Sequence, residues 1–201
     1  MLHINEGKKL KENLLAQIVL LIIGGFFLGS LPWSVWLSKF KSADPRLVGD
    51  GNPGAFNTWK ASGKWIGTIV LLLDIAKGYL PAHVAQLELS WGWWIPFIAS
   101  SPIYGHRWSP FLRGKGGIGL AAYIGLWSAM PGPWASFVLG VLFLIFIMIL
   151  RQDRFKSVTL ATLLFALYLL FSPHALILLS TWCLTTPLLW FGYKRPKTVL
   201  N

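Results

Sequence analysis

Charged residues are scarce in this 201-residue chain, and acidic residues are the scarcest of them. Asp, Glu, Lys and Arg together make up 12% of the sequence, with seven acidic residues against 18 Lys and Arg. A soluble domain carries about twice that charged fraction. The scarcity argues against a soluble globular domain, and the imbalance leaves a formal net charge of +11.

Cysteine is almost absent too, since Cys183 is the only one in the sequence. A single thiol excludes an internal disulfide and any paired-cysteine zinc site. The sequence also lacks the G-x-S-x-G nucleophile elbow, the H-E-x-x-H zinc motif and the G-x-x-x-x-G-K-[ST] Walker loop. These absences exclude the commonest hydrolase, metalloprotease and nucleotide-binding patterns.

Apolar residues are abundant and occur in long blocks. They make up 55% of the chain, and the mean hydropathy is +0.59. Blocks of this kind, separated by short polar stretches, predict an all-α polytopic membrane protein with about seven transmembrane helices. The predicted spans are Leu14–Leu37, Trp65–Ala85, Trp91–Tyr104, Ile118–Met130, Trp134–Leu150, Val158–Phe171 and Ala175–Phe191.

The predicted domain organisation is a single integral-membrane domain at 14–193, between a polar N-terminal tail at 1–13 and a basic C-terminal tail at 194–201. The third and fourth spans are short for a hydrocarbon core of roughly 30 Å. Five full spans with re-entrant or broken pieces are therefore the alternative.

Lys and Arg lie mainly in three loops, at 39–64, 106–117 and 151–157, and in the C-terminal tail. The positive-inside rule predicts that these loops and the C-terminus face the cytoplasm of a plasma membrane, with the N-terminus outside. Lysines at 8, 9 and 11 argue mildly against the outside N-terminus. Basic residues placed between spans favour anionic lipids and an anionic substrate over nucleic acid.

Two of these loops have the composition of an anion-binding site. The first, at 48–57, has three glycines in six residues, which lets backbone N–H groups approach an anion. The second has His106 and then Arg113, Lys115 and further glycines before an apolar helix, which is typical of a phosphate cradle. The alternative is that the glycines form simple turns and the bases only set the topology.

Asp74 and Lys77 lie three residues apart within the second span, and therefore on one face of a helix. Ionisable residues at membrane depth are costly, so they are usually paired or functional. A structural ion pair and a substrate-binding role are equally consistent with this spacing.

The order of motifs resembles the PlsY family of membrane acyl-phosphate:glycerol-3-phosphate acyltransferases over nearly the whole chain. Gly29-Ser30-Leu31-Pro32 resembles the family's G-S-x-P, and the loop at 48–57 resembles V-G-S-G-N-x-G-A-x-N. The segment at 73–78 resembles L-D-x-x-K-G, the one at 105–119 G-H-x-x-P-x-x-x-x-x-G-G-K-G, and the one at 154–157 the start of R-Y-x-S-L-x-S.

The resemblance implies an enzyme of phospholipid biosynthesis that transfers an acyl group from acyl-phosphate to glycerol-3-phosphate, or to a related polyol, and forms lysophosphatidic acid. It implies contact with membrane lipids, no cofactor, no metal and no nucleic acid. The implied catalytic residues are His106, Ser157 and Asn52. The implied substrate-binding residues are Gly49, Asp50, Gly51, Gly54, Asn57, Lys60, Arg113, Lys115, Gly116, Gly117 and Arg154, supported by Asp74 and Lys77.

The chain departs from the family pattern at four positions. Asp50 and Leu160 replace serines, Lys60 replaces an arginine, and Ile118 replaces a lysine. A carboxylate at 50 repels a phosphate unless a base pairs with it. A PlsY-like enzyme with a changed acceptor, a non-catalytic lipid-binding protein and, less strongly supported, a transporter are the alternative hypotheses.

Overall fold

The computed structural model describes residues 2–89, 91–150 and 153–193. These residues form nine α-helices joined by loops and short 3-10 helices, so the described part of the chain is all-α as expected. The 3-10 helices are Lys39–Lys41, Pro45–Leu47 and Pro110–Leu112. The α-helices are α1 Leu2–Ser30, α2 Trp33–Ser38, α3 Ala55–Ser62, α4 Lys64–Leu89, α5 Ile95–Arg107, α6 Leu120–Ala129, α7 Pro133–Leu150, α8 Arg154–Leu170 and α9 Ala175–Tyr193.

Within the described residues, three helical segments are long and apolar enough to cross a bilayer: 13–41, 64–87 and 175–193. Helices α6 and α7 are shorter and also apolar. With 13 and 10 residues, α5 and α6 are about 20 Å and 15 Å long. Both are shorter than the hydrocarbon core, in line with the short third and fourth blocks of the sequence.

The first predicted span, Leu14–Leu37, lies within the candidate span at 13–41, but its helix is interrupted, because α1 ends at Ser30 and α2 starts at Trp33. Pro32 causes the break: it has no backbone N–H, and its ring disfavours helical geometry at the preceding residue. The break leaves carbonyl groups of α1 without helical partners. Lys77 Nζ donates to the carbonyl of Leu31 at 3.2 Å, and Ser109 Oγ donates to that of Ser30 at 2.6 Å.

The three loops also differ from the polar stretches of the sequence, because helices begin or continue inside them. The loop at 39–64 contains the eight-residue helix α3, and Gly63, with φ 92°, separates α3 from α4. Helix α5 continues through His106 to Arg107, and α8 already begins at Arg154. Backbone hydrogen bonding extends these helices into segments whose polarity indicated loops.

Helices α1 and α5 approach each other closely through glycine. A Cβ on Gly29 would collide with the backbone of Pro102, and a Cβ on Gly105 would collide with the carbonyl of Phe26. Small residues let membrane helices pack backbone against backbone, where dispersion forces replace the hydrophobic effect. Because α1 ends at Ser30 and α5 ends at Arg107, this contact brings the break in α1 beside His106.

The buried core lies among the helices α4 to α9. Its largest fully buried side chains include Trp127, Tyr123 and Phe165. The hydroxyl of Tyr123 hydrogen-bonds Thr186 Oγ1 at 2.7 Å, which satisfies two buried polar groups between α6 and α9. The core therefore lies beside the ends of α5 and α6 that carry the second loop.

Candidate functional site

Asp50 organises the first loop. It lies between two left-handed glycines, Gly49 with φ 62° and Gly51 with φ 70°. Its Oδ1 accepts hydrogen bonds from Asn57 Nδ2 at 2.8 Å and from the backbone N–H of Asn52 at 3.2 Å. Asn57 is buried at the start of α3, so the carboxylate is held against a fixed partner.

Asn52 joins the first loop to the second. Its side-chain oxygen accepts a hydrogen bond of 2.9 Å from the backbone N–H of Ile118, and its backbone carbonyl accepts one of 3.0 Å from Asn57. A Cβ on Gly54 would lie 2.9 Å from Asn52 Nδ2, so a larger residue there would press on the Asn52 amide. The side chain of Ile118 takes no part in this link, because the contact uses its main chain.

The second loop folds back on the end of α5. Gly116 and Gly117 donate backbone hydrogen bonds of 3.1 Å to the carbonyls of Arg107 and His106, respectively. A Cβ on Gly117 would collide with His106 Nε2 and lie 3.2 Å from Asn52 Oδ1. Gly117, His106 and Asn52 are thus neighbours, and His106 is 8% exposed.

Asp74 and Lys77 form a buried ion pair beside this cluster. Lys77 Nζ lies 2.7 Å from Asp74 Oδ1, and the two side chains are 2% and 5% exposed, respectively. Lys77 also donates to the carbonyl of Leu31, so the pair fixes the break in α1.

A small pocket opens between the break in α1, the ion pair and the second loop. Its wall is polar where it meets α4 and α5, and it includes Ser30 and Ser34 along α1 and α2. The lining residues are Gly29, Ser30, Leu31, Pro32, Trp33, Ser34, Pro53, Asp74, Lys77, His106, Ser109, Leu112 and Gly117.

Cations from the third loop and from α3 face the first loop. Arg154 Nη1 lies 4.0 Å from Asp50 Oδ2. Arg154 Cζ lies 5.3 Å from the centre of the Phe56 ring, and Lys60 Nζ lies 4.6 Å from it. Both distances are within the range of cation–π attraction. The structure therefore brings the first and third loops together, as well as the first and second.

Arg113 and Lys115 of the second loop are exposed, whereas Arg107, at the end of α5, is buried. Arg113 has a left-handed backbone with φ 52°, and it is followed by Gly114 with φ 75°. Arg113 and Lys115 lie between the 3-10 helix at 110–112 and the glycine pair that contacts His106. They lie at the edge of the site, and the backbone N–H of Lys115 donates to the carbonyl of Leu112, which lines the pocket.

Ser157 lies apart from the pocket. Its side chain is buried, and its hydroxyl is within hydrogen-bonding distance of the carbonyls of Asp153, at 3.0 Å, and Phe146, at 3.2 Å. These contacts connect the start of α8 to α7. The structure thus brings His106 and Asn52 together but leaves Ser157 outside their cluster.

The carboxylates on the loop side of the bundle are hydrogen-bonded within the protein. The guanidinium of Arg46, at 2.6 Å, holds the pKa of the Asp44 carboxyl below its usual range. The backbone amide of Lys156 lowers the pKa of Asp153, which caps α8. Both groups stay ionised at neutral pH. Among the described residues, no three His, Cys, Asp or Glu side chains lie close enough together to hold a metal ion.

Three serines of the pocket had not been predicted as site residues: Ser30, Ser34 and Ser109. The hydroxyl of Ser109 donates a hydrogen bond to the carbonyl of Ser30, and the hydroxyl of Ser34 donates one to the carbonyl of Pro53 at 2.9 Å. Ser30 belongs to a recognised motif, which could have indicated it. Ser34 and Ser109 are single serines with apolar sequence neighbours, and only the fold brings them to the pocket.

Several known proteins are similar to this chain in sequence. The family model described as glycerol-3-phosphate acyltransferase matches residues 19–196. A protein of that name from Prochlorococcus marinus is 34% identical over 142 residues, which cover 70% of each chain. Its namesake from Anaeromyxobacter dehalogenans is 37% identical over 122 residues, covering 58% of this chain and 60% of the other.

Two solved structures are also similar. They are crystal structures of PlsY, an integral membrane glycerol 3-phosphate acyltransferase, in its glycerol 3-phosphate form and its lysophosphatidic acid form. The TM-scores are 0.80 and 0.79, with 28% and 27% identity, and each match covers 89% of this chain and 88% of the other. By sequence and by fold, this chain belongs to the glycerol-3-phosphate acyltransferase family.

Proposed function

We propose that this protein is a membrane enzyme that transfers an acyl group from acyl-phosphate to glycerol 3-phosphate and forms lysophosphatidic acid. The observation that carries the proposal is the gathering of three loops at one end of the helical bundle. Asn52 connects the first loop to the second, and Asp50 connects it to Arg154 of the third. Family membership, with likeness to PlsY in acceptor-bound and product-bound forms, supports this assignment.

The phosphate groups of both substrates are bound by the exposed bases around these loops. Lys60, Arg113, Lys115 and Arg154 supply positive charge, and the backbone N–H groups of the glycine-rich turns supply directed donors. Their positive potential offsets the charge of two phosphate-bearing substrates and of the departing phosphate. The candidate substrate-binding glycines are Gly49, Gly51, Gly54, Gly116 and Gly117.

The reaction needs no covalent acyl-enzyme, because acyl-phosphate is already activated. The acceptor hydroxyl oxygen forms an ester bond with the acyl carbon, while the bond between that carbon and the phosphate oxygen breaks. The hydroxyl proton goes to the departing phosphate. His106 lines the pocket and is the group we assign to orienting the hydroxyl and passing this proton. Asn52 fixes the second loop against the first. The site also accelerates the reaction by holding the acyl-phosphate and the acceptor close together in the reacting orientation.

Ser157 is assigned a positioning role in this scheme. Its hydroxyl holds the start of α8 through backbone carbonyls, and α8 begins with Arg154. Asp74 and Lys77 hold the break in α1, which forms one wall of the pocket.

The proposed topology has seven membrane segments in a plasma membrane, α1 with α2 and then α4 to α9. The loop side faces the cytoplasm, which agrees with the bases that it carries. A second contact supports the sidedness: Trp91 stacks on His174 at 4.4 Å, joining the α4–α5 and α8–α9 connections away from the bases. Counted in order, this places the start of α1 outside and the end of α9 inside.

The test is an acyl-transfer assay on purified protein in lipid nanodiscs, with palmitoyl-phosphate and glycerol 3-phosphate. We expect lysophosphatidic acid to form, and its rate to fall at least tenfold in His106→Ala and Arg154→Gln. A PlsY enzyme assayed in parallel is the control for substrate quality. No product from this protein, beside product from the control, would refute the proposal.

A further inference from the structure

One acidic side chain lies among the bases that we assign to phosphate binding. Asp50 Oδ2 faces Arg154 Nη1 at 4.0 Å, and the two side chains are 34% and 60% exposed, respectively. Asp44 and Arg46, by contrast, pair at 2.6 Å through several hydrogen bonds. The contact between Asp50 and Arg154 is therefore a loose ion pair, which an entering anion can replace.

The carboxylate of Asp50 cannot turn away from this position without losing hydrogen bonds. Its Oδ1 is held by Asn57 Nδ2 and by the backbone of Asn52, and Asn57 is 2% exposed. These bonds fix one oxygen and leave the other directed at Arg154. The position of the carboxylate is therefore fixed in the loop.

The bases around Asp50 are held in place as well. The ring of Phe56 attracts both Arg154 and Lys60. A phosphate that binds there meets two cations and one fixed carboxylate. The carboxylate repels a doubly charged phosphate and competes with it for the guanidinium of Arg154. A neutral hydroxyl group carries no charge, so the carboxylate does not repel it.

We propose that Asp50 is a specificity-determining residue of the acceptor site, which weakens binding of phosphate-bearing acceptors relative to neutral polyols by competing for Arg154. The inference rests on the proposed function, because it takes Arg154 as a phosphate-binding residue. The inference concerns the choice of acceptor, because membership of the family does not determine how Asp50 affects the binding of different acceptors.

The test compares wild type with Asp50→Asn, which keeps the shape of the side chain and an oxygen for Asn57 and Asn52 while removing the charge. We expect the KM for glycerol 3-phosphate to fall about three- to tenfold, with kcat changed less than twofold. The KM for glycerol should stay within twofold, because glycerol carries no charge. In an Arg154→Gln background the effect of Asp50→Asn should shrink below twofold.

Asp44→Asn is the matched control, since it also removes one carboxylate paired with an arginine in the same loop region. It should leave both KM values within twofold. An equal drop in KM for Asp44→Asn would mean that only overall charge matters, and an unchanged KM in Asp50→Asn would mean that Asp50 does not compete. Either result overturns the inference.

Binding of inorganic phosphate to the same nanodisc samples gives a readout that does not need turnover. Tighter phosphate binding in Asp50→Asn, but not in Asp44→Asn, supports the inference even if wild type forms no lysophosphatidic acid. Equal phosphate affinity in the three proteins refutes it even if the enzyme is active. The failure of the inference is thereby separated from the failure of the proposed function.

Discussion

At the scale of single residues, Gly117 is a tightly packed position of the site. It packs directly on His106 and Asn52, so a methyl group there would displace one or both. We expect Gly117→Ala to lower kcat about tenfold or more, because a displacement of 1 Å at a reacting group is that costly. Steady-state acyl-transfer kinetics measure this. Gly140→Ala is the control, since nothing lies within 4 Å of the added Cβ, and equal losses in both would contradict the packing argument.

The Asp74–Lys77 pair gives a prediction about stability. Lys77→Met leaves a buried carboxylate without its partner, which typically costs about 3–5 kcal/mol. We expect a large drop in the thermal unfolding temperature in detergent. The double variant Asp74→Leu with Lys77→Met should recover much of it, since it buries no unpaired charge. A double variant less stable than the single one would contradict this account.

Sequence patterns identified most of the polar residues that meet at the site. Glycines and bases around Asp50 and Lys115 indicated an anion site, because their chemistry is local and needs no fold to be recognised. The link from Asn52 to Ile118 spans 66 positions of the chain and uses a backbone N–H, so no pattern of side chains could reveal it. Ser157 is the opposite case. Its motif predicted a catalytic role, but its hydroxyl contacts the backbone carbonyls of Phe146 and Asp153 and lies outside the pocket.

At the scale of helices, hydropathy located the apolar blocks but misplaced their ends. The break at Pro32 lies inside an apolar run, so composition alone extended the first span across it. Helix α3, inside the first loop, has a weakly apolar sequence with two buried polar residues, Asn57 and Thr58. Both side chains make hydrogen bonds within the folded loop. A polar segment can therefore form a helix here, although its polarity indicated a loop.

The packing of α1 on α5 gives a prediction at this scale. The Cβ of Gly29→Ala would collide with the backbone of Pro102, which cannot move as a side chain could. We expect a loss of about 1–3 kcal/mol in the free energy of unfolding, seen as a lower unfolding temperature. Gly24→Ala, in the same helix with nothing within 4 Å of the added Cβ, should be neutral or slightly stabilising. A similar loss in both variants would show that helix propensity, and not close packing, decides the outcome.

At the scale of the whole molecule, charge and packing agree that the three basic loops lie at one end of the bundle. The bases of the three loops are counted from the sequence, whereas the contacts that join those loops come from the fold. Neither observation depends on the length of α6, the shortest of the apolar helices. The proposed topology places this end in the cytoplasm, where soluble glycerol 3-phosphate would be available.

This arrangement predicts opposite reactivities for two engineered cysteines in a Cys183→Ser background. Lys115→Cys lies in the second loop, and Pro173→Cys lies in the α8–α9 turn beside His174; both positions are exposed. In intact spheroplasts, a membrane-impermeant maleimide should label Pro173→Cys, and it should label Lys115→Cys only after the membrane is disrupted. The reverse pattern would invert the orientation while keeping the bundle. Labelling of both from one side would contradict the proposed topology, because an odd number of crossings, three through α6 to α8, separates Lys115 from the α8–α9 turn along the chain.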